Sequence, residues 1–125
     1  TVFSDEKWLC FILGQLITNG VKYRHPQRPL VLTFSAARGP GAVTLSLRDN
    51  GIGIPPEDLP RIFDKGFTGQ NVRQAAQNAT GLGLYLCQRL CRRLDIGLAA
   101  QSSPEGTTMT LTFRVNDFIH QVQGE

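Results

Sequence analysis

Apolar residues in this chain fall into two kinds of spacing. Leu9, Ile12, Leu13, Leu16 and Ile17 recur every three to four residues, the stripe of an amphipathic helix, and predict one over residues 6–23. Ser4 or Asp5 is placed to cap it, Asp5 and Glu6 suit the positive end of its dipole, and Val2-Phe3 reads as the end of a strand. His25-Pro26-Gln27-Arg28-Pro29 stops the helix, since proline cannot continue it and restrains the residue before it. Alternation then takes over. Residues 30–34 read as a strand and residues 37–41 as a glycine- and proline-rich hairpin turn. Val43, Leu45 and Leu47 then alternate with Thr44, Ser46 and Arg48 in a half-buried strand that ends at Asp49.

Beyond Pro55 a short helix or turn is expected, docked by Leu59, Ile62 and Phe63. Residues 64–80 carry little periodicity and many small polar side chains, the character of a functional lid or an insertion, with Lys65 and Arg73 as its cations and Phe67 as a clip to the body. A second helix runs to about Leu94, with Leu82, Leu86, Leu90 and Leu94 on or near one face and Cys87 and Cys91 as buried small apolar residues. A strand over residues 96–101, a turn at residues 103–106 and a strand over residues 107–115 close the pattern, with Met109, Leu111 and Phe113 facing the core. The tail from Asn116 is weakly amphipathic.

Composition narrows the class. With 125 residues, 41% hydrophobic and 18% charged, the chain is expected to be one soluble domain, residues 1–125. A net charge of +3 is too small to argue for nucleic acid; the cluster Arg89, Arg92 and Arg93 reads as a solvated helix end or a docking face for an acidic partner. Three cysteines without framework spacing suit reduced thiols in a cytosolic compartment. No apolar run is long enough to span a bilayer, and the abrupt start at Thr1-Val2-Phe3 suggests an excised domain whose membrane or sensory parts lie elsewhere.

Chemistry concentrates in four places. Asp49 precedes Gly51 and Gly53, so a carboxylate stands beside accessible backbone with Ile52 and Ile54 as an apolar wall; this suits a purine-sized ligand, or is only a tight turn after a strand. Gln15, Asn19 and Lys22 fall at i, i+4 and i+7 on one flank of the first helix, where an amide oxygen can face a hard cation and an ammonium an anion; an ordinary solvated flank has the same spacing. Tyr23 is either core or a ring over a ligand. Gly81 and Gly83 open the second helix and leave amides for an anion.

Taken in order, these stretches resemble the ATP-binding domain of histidine kinases, within the ATPase superfamily shared with gyrase and Hsp90. Residues 15–23 resemble the asparagine box, residues 49–55 the first glycine box, residues 61–67 the phenylalanine box, residues 80–84 the second glycine box and Gly106-Thr107 the final element. Lys7-Trp8-Leu9, Gln15 and residues 65–69 look closest to the kinases that answer antimicrobial peptides in Gram-positive bacteria. The resemblance implies an α+β fold, a two-layer α/β sandwich of Bergerat type. It has a mixed, mostly antiparallel sheet, helices on one face and a mobile ATP lid over roughly residues 64–80.

It further implies ATP and Mg²⁺ as cofactors, with Gln15, Asn19 and Lys22 as the catalytic set. Asn19 would hold the metal, Lys22 would meet phosphate, Tyr23 would border the adenine and Asp49 would take its amine, supported through water by Thr107. Gly51, Gly53 and Ile54 would line the base, and Lys65 and Phe67 would belong to the lid. Thr80, Gly81, Leu82, Gly83 and Leu84 would approach the phosphates. The reaction would be transfer of the γ-phosphate to a histidine on a separate dimerisation domain, with a response regulator as partner, in a homodimer anchored in the membrane by segments outside this chain while this domain lies in the cytoplasm.

Departures bear on the chemistry. Gln15 stands where gyrase-like relatives carry a glutamate, and an amide is no general base, which disfavours the competing reading of an ATP-hydrolysing motor or chaperone domain. Asn19 and Lys22 speak against an inactive docking module. Gly20 stands where alanine is usual, the final element has one glycine, and neither His25 nor His120 has the setting of an acceptor histidine, so the isolated chain is not expected to phosphorylate itself.

Overall fold

The computed structural model describes residues 2–67 and 82–114, with side chains from residue 6 onward. The expected lid from Thr68, including Arg73, Thr80 and Gly81, and the tail beyond Arg114 lie outside the described residues.

Helix α1 spans Val2–Lys22. Val2-Phe3 is therefore its first turn and not a strand end, and Ser4 and Asp5 lie within the helix and not at its cap. The propensity of β-branched and aromatic residues against a helix is only a few tenths of a kcal/mol, roughly, and neighbouring turns override it. The buried line along α1 is Ile12, Leu16, Asn19 and Tyr23, steps of three or four residues.

Strand β1 is Leu32–Gly39 and β2 is Ala42–Asp49. They pair from Leu32↔Asp49 to Gly39↔Ala42, which narrows the predicted turn to Pro40-Gly41, with Gly41 at φ 72°. Residues 30–31 stay outside β1 because the amide of Val31 donates to Asn50 Oδ1 at 2.8 Å, off the ladder. A short 3-10 turn at Leu59–Arg61 follows. Helix α2 spans Gly83–Arg93, β3 Ile96–Ser103 and β4 Gly106–Arg114.

The strand order is β1-β2-β4-β3, and every pairing among the described strands is antiparallel. Residues directly opposite share a face, so the register lines up Phe34, Leu47, Met109 and Ala100, then Ala36, Leu45, Leu111 and Leu98. On that face α1 packs on β2 and α2 on β3, giving the expected α+β two-layer arrangement. The opposite face carries Ser46, Thr110, Thr112 and Thr108, and the hydroxyls of Ser46 and Thr110 meet at 3.2 Å.

Helix α2 buries a different line from the leucine row expected of it. Cys87 and Cys91 are fully buried, as expected of them, and Leu84 and Leu94 pack beside them, whereas Leu86 is exposed. A four-residue step overshoots the helical turn by about 40°, so the leucine row crosses the helix obliquely, from the exposed Leu86 to Leu90 and Leu94, which pack on the core. Among the described residues no helix is long and apolar enough to cross a membrane.

Leu111 sits in the core with none of its surface exposed. Leu111→Ala is expected to cost about 2–5 kcal/mol of stability, read as a lower urea midpoint at unchanged slope.

Candidate functional site

The glycine loop after β2 is held by long-range ties. Asp49 is 5% exposed, and its Oδ1 accepts from the amide of Gly51 at 2.9 Å and from the amide of Thr107 at 3.2 Å. The backbone of Thr107 thus supports Asp49 directly, and its hydroxyl meets Ser102 Oγ at 2.9 Å. Ser102 Oγ also accepts from the amide of Ile54 at 2.7 Å. On the outer side Arg28 donates from Nε to the Asn50 carbonyl at 3.0 Å and from Nη2 to that of Gly51 at 3.1 Å.

Three glycines are required by close backbone approach, and a Cβ on Gly51 would collide with the Tyr23 carbonyl. A Cβ on Gly53, at φ 80°, would collide with the Ser103 carbonyl, and one on Gly106, at φ 145°, with that of Asp49. The loop is clasped between the end of α1 and the β3–β4 turn, where the amide of Ile52 donates to the Tyr23 carbonyl at 2.9 Å.

Asp49 Oδ2 takes no hydrogen bond from the described residues and faces Gly20 of α1, where a Cβ would lie 3.7 Å from it and 3.0 Å from Leu32 Cδ2. Glycine at this position therefore fits the space between α1 and the carboxylate. Burial raises the Asp49 pKa, outweighing the two amide bonds that lower it. A donor brought to Oδ2 would relieve that cost.

Helix α1 strings the other groups along one line. Asn19 is 5% exposed, so it belongs to the buried face and not to a solvated flank. Gln15 meets the start of α2, where a Cβ on Gly83 would collide with Oε1 of Gln15. Five residues at 1.5 Å rise set Gln15 and Gly20 about 7.5 Å apart along the axis, with Asn19 between. Lys22 is half-buried, which lowers its pKa, and its Nζ lies 5.7 Å from the Tyr23 ring centroid. Tyr23 itself is buried in the core, with its phenol pushed up to about 12 by desolvation and by Asp58.

At the far end of this line α2 begins without a side-chain cap at Leu82 and without an acid in its first turn. Leu82 and Leu84 are half-buried there. Phe67 packs on the body, with the Arg61 guanidinium 4.8 Å from its ring centroid. Lys65 Nζ lies 5.9 Å from the Tyr85 centroid, and Arg89 donates to the Tyr85 oxygen at 3.0 Å. Among the described residues no three His, Cys, Asp or Glu side chains gather to hold a metal.

The structure thus brings Gln15, Asn19, Asp49, Gly51, Gly53, Ile54, Gly83 and Thr107 together around the C-terminal half of α1. Sequence reasoning missed Ser102, Arg28, Asn50 and Tyr85. Only Asn50, inside an Asp-Asn-Gly turn, carried a local signal.

A buried aspartate before a glycine loop, facing a helix that carries a buried asparagine, is the arrangement of an ATPase family. The sequence profile of the histidine kinase-, DNA gyrase B- and HSP90-like ATPases matches residues 4–117, and the chain belongs to that family. It is 45% identical over 120 residues to the sensor protein BceS of Halalkalibacterium halodurans, covering 94% of this chain and 35% of that protein. With BceS of Bacillus subtilis it shares 42% over 123 residues, 97% of this chain and 36% of that protein. The chain therefore spans about a third of these relatives. The mycobacterial sensor histidine kinase MprB superposes with TM-score 0.73 at 21% identity, over 86% of this chain and 72% of that one. Full-length ShkA in complex with AMPPNP superposes with TM-score 0.67 at 28% identity, over 86% of this chain and 21% of that one. The resemblance to the histidine kinase branch is borne out.

The two tyrosines are expected to ionise separately. Arg89 and Lys65 pull Tyr85 below the ordinary phenol value of 10.0, while burial holds Tyr23 at about 12. A spectrophotometric pH titration should show two steps, with the lower moving up in Arg89→Ala.

Proposed function

We propose that the chain is the ATP-binding catalytic domain of a two-component sensor histidine kinase, presenting the γ-phosphate of ATP to a histidine on a helical dimerisation domain. The observation that carries this reading is Asp49. One oxygen is locked by two amides and the other is turned toward α1, in a buried place where a flat base with an exocyclic amine would supply the missing donor. The likeness to ShkA, solved with AMPPNP, supports the ligand.

Each residue then has a defined task. Asp49 accepts from the adenine amine, and Ile52 and Ile54 bound the ring. Asn19, between the Asp49 end and the Gln15 end of α1, supplies one neutral oxygen to Mg²⁺. Such a donor fits this ion, which takes most of its ligands from phosphates and water. When bound, the ion offsets phosphate charge and orients the γ-phosphate. Lys22 and Lys65 offset the charge on the polyphosphate, and Gly83 places the start of α2 against it. Gln15 is packed against Gly83 and has no basicity with which to activate water, so transfer to a nucleophile on another domain is favoured over hydrolysis.

The partners of this reading are the dimerisation domain of the same protein and a cognate response regulator. The whole protein is a homodimer anchored in the membrane by segments beyond this chain, with this domain on the cytoplasmic side, where ATP is found.

Titration calorimetry with AMPPNP, with and without Mg²⁺, tests this. Asp49→Asn should weaken binding by about 1.5–3 kcal/mol, roughly tenfold to a hundredfold. The same variant should keep its fold. Because burial raises the Asp49 pKa, the carboxyl stabilises the fold most below the unfolded value, 3.8, and that contribution is lost as pH rises through the folded value. Replacing the charge by an amide should therefore leave the ligand-free melting temperature at neutral pH equal or a few degrees higher. An Asp49→Asn protein that binds AMPPNP like wild type would remove Asp49 from the site.

A further inference from the structure

Tyr85 stands in the first turn of α2, two residues past Gly83, and two cations from different parts of the chain converge on it. Arg89, one turn further on, donates from Nη1 to the phenol oxygen at 3.0 Å and sets its guanidinium 5.8 Å from the ring centroid. Lys65, eighteen positions before Gly83, brings Nζ to 5.9 Å from the same centroid. Neither cation has a carboxylate partner: among the described residues the one ion pair joins Arg114 to Asp95. The first turn of α2 has no acid either, so no carboxylate of that turn offsets the two cations.

An aromatic face anchors a lysine differently from a carboxylate. It orients the ammonium through the ring quadrupole without neutralising it, whereas a carboxylate would hold the same group and cancel its charge. A lysine parked in this way keeps its full attraction for an incoming anion. The i, i+4 spacing lets Arg89 fix the phenol from its own helix, so the ring is oriented independently of the loop that carries Lys65.

We propose that Tyr85 is a positioning residue for Lys65: its ring, flanked by Arg89, holds the ammonium beside the start of α2, where the ATP phosphates bind. This rests on the nucleotide site proposed above and adds to it a residue that acts through Lys65 without touching the base. The adenine end, around Asp49, does not depend on it.

The test is calorimetric titration of the 125-residue chain with Mg²⁺ and AMPPNP, and separately with adenosine, for wild type, Tyr85→Phe, Tyr85→Leu, Lys65→Gln and Lys65→Gln/Tyr85→Leu. Tyr85→Leu is expected to lose about threefold to tenfold in AMPPNP affinity, as Lys65→Gln does, while Tyr85→Phe, which keeps the ring, stays within about twofold of wild type. The double variant should be no weaker than either single one, the mark of two side chains acting as a unit. Adenosine affinity should be the same in all five proteins. The inference is overturned if Tyr85→Leu binds AMPPNP like wild type, if its loss adds to that of Lys65→Gln, or if adenosine binding falls equally, since the last is plain structural damage. Wild type that binds neither ligand overturns the nucleotide site itself; wild type that binds both, with an indifferent Tyr85→Leu, overturns only the role of Tyr85.

Discussion

The Asp49 carboxylate is the constraint on which the site depends. Its Oδ1 draws together two amides that lie far apart in sequence, Gly51 two residues on and Thr107 fifty-eight residues on. That pair of bonds ties the glycine loop to the start of β4. The carboxylate is buried at a cost that its two donors do not fully offset, which is why its pKa rises. A carboxylate whose burial outweighs its hydrogen bonds is a candidate for a functional role.

Around this point the structure is stiff on three sides. Gly53 and Gly106 permit carbonyl approaches that any side chain would block, Ser102 gathers Ile54 and Thr107 on one hydroxyl, and Arg28 clamps the outer carbonyls of residues 50 and 51. Helix α1 forms the fourth wall and measures out the site along its axis, from Gly20 beside Asp49 to Gln15 beside Gly83. Preorganisation of this kind spares the ligand the ordering of the loop, so that binding free energy can go into discrimination. The start of α2 differs in character: its side chains are held by cation–aromatic contacts in the half-exposed Tyr85 region.

Much of the architecture was legible because one-dimensional periodicity reports burial directly. The stripe of α1, the alternation ending at Asp49 and the core-facing row Met109, Leu111 and Phe113 all follow from spacing, and all are where spacing puts them. Periodicity failed where the phase, and not the period, mattered. Asn19 lies on the same line as Ile12, Leu16 and Tyr23, but a polar identity argued for the flank. In α2 the burial of Cys87 and Cys91 was legible, but the exposure of Leu86 within the leucine row was not.

The sequence by itself determined the elements, the strand end that carries Asp49 and the glycine positions on either side of it, because these depend on side chains within a few residues of each other. Only the tertiary structure decided what those residues meet. The order β1-β2-β4-β3 brings Thr107 under Asp49, the β3–β4 turn brings Ser102 to Ile54, and the packing of α1 on α2 brings Gln15 to Gly83. Lys65 reaches Tyr85 by the same route. Such pairings are set by the register of strands and the approach of helices across tens of residues, and no local pattern of polarity encodes them.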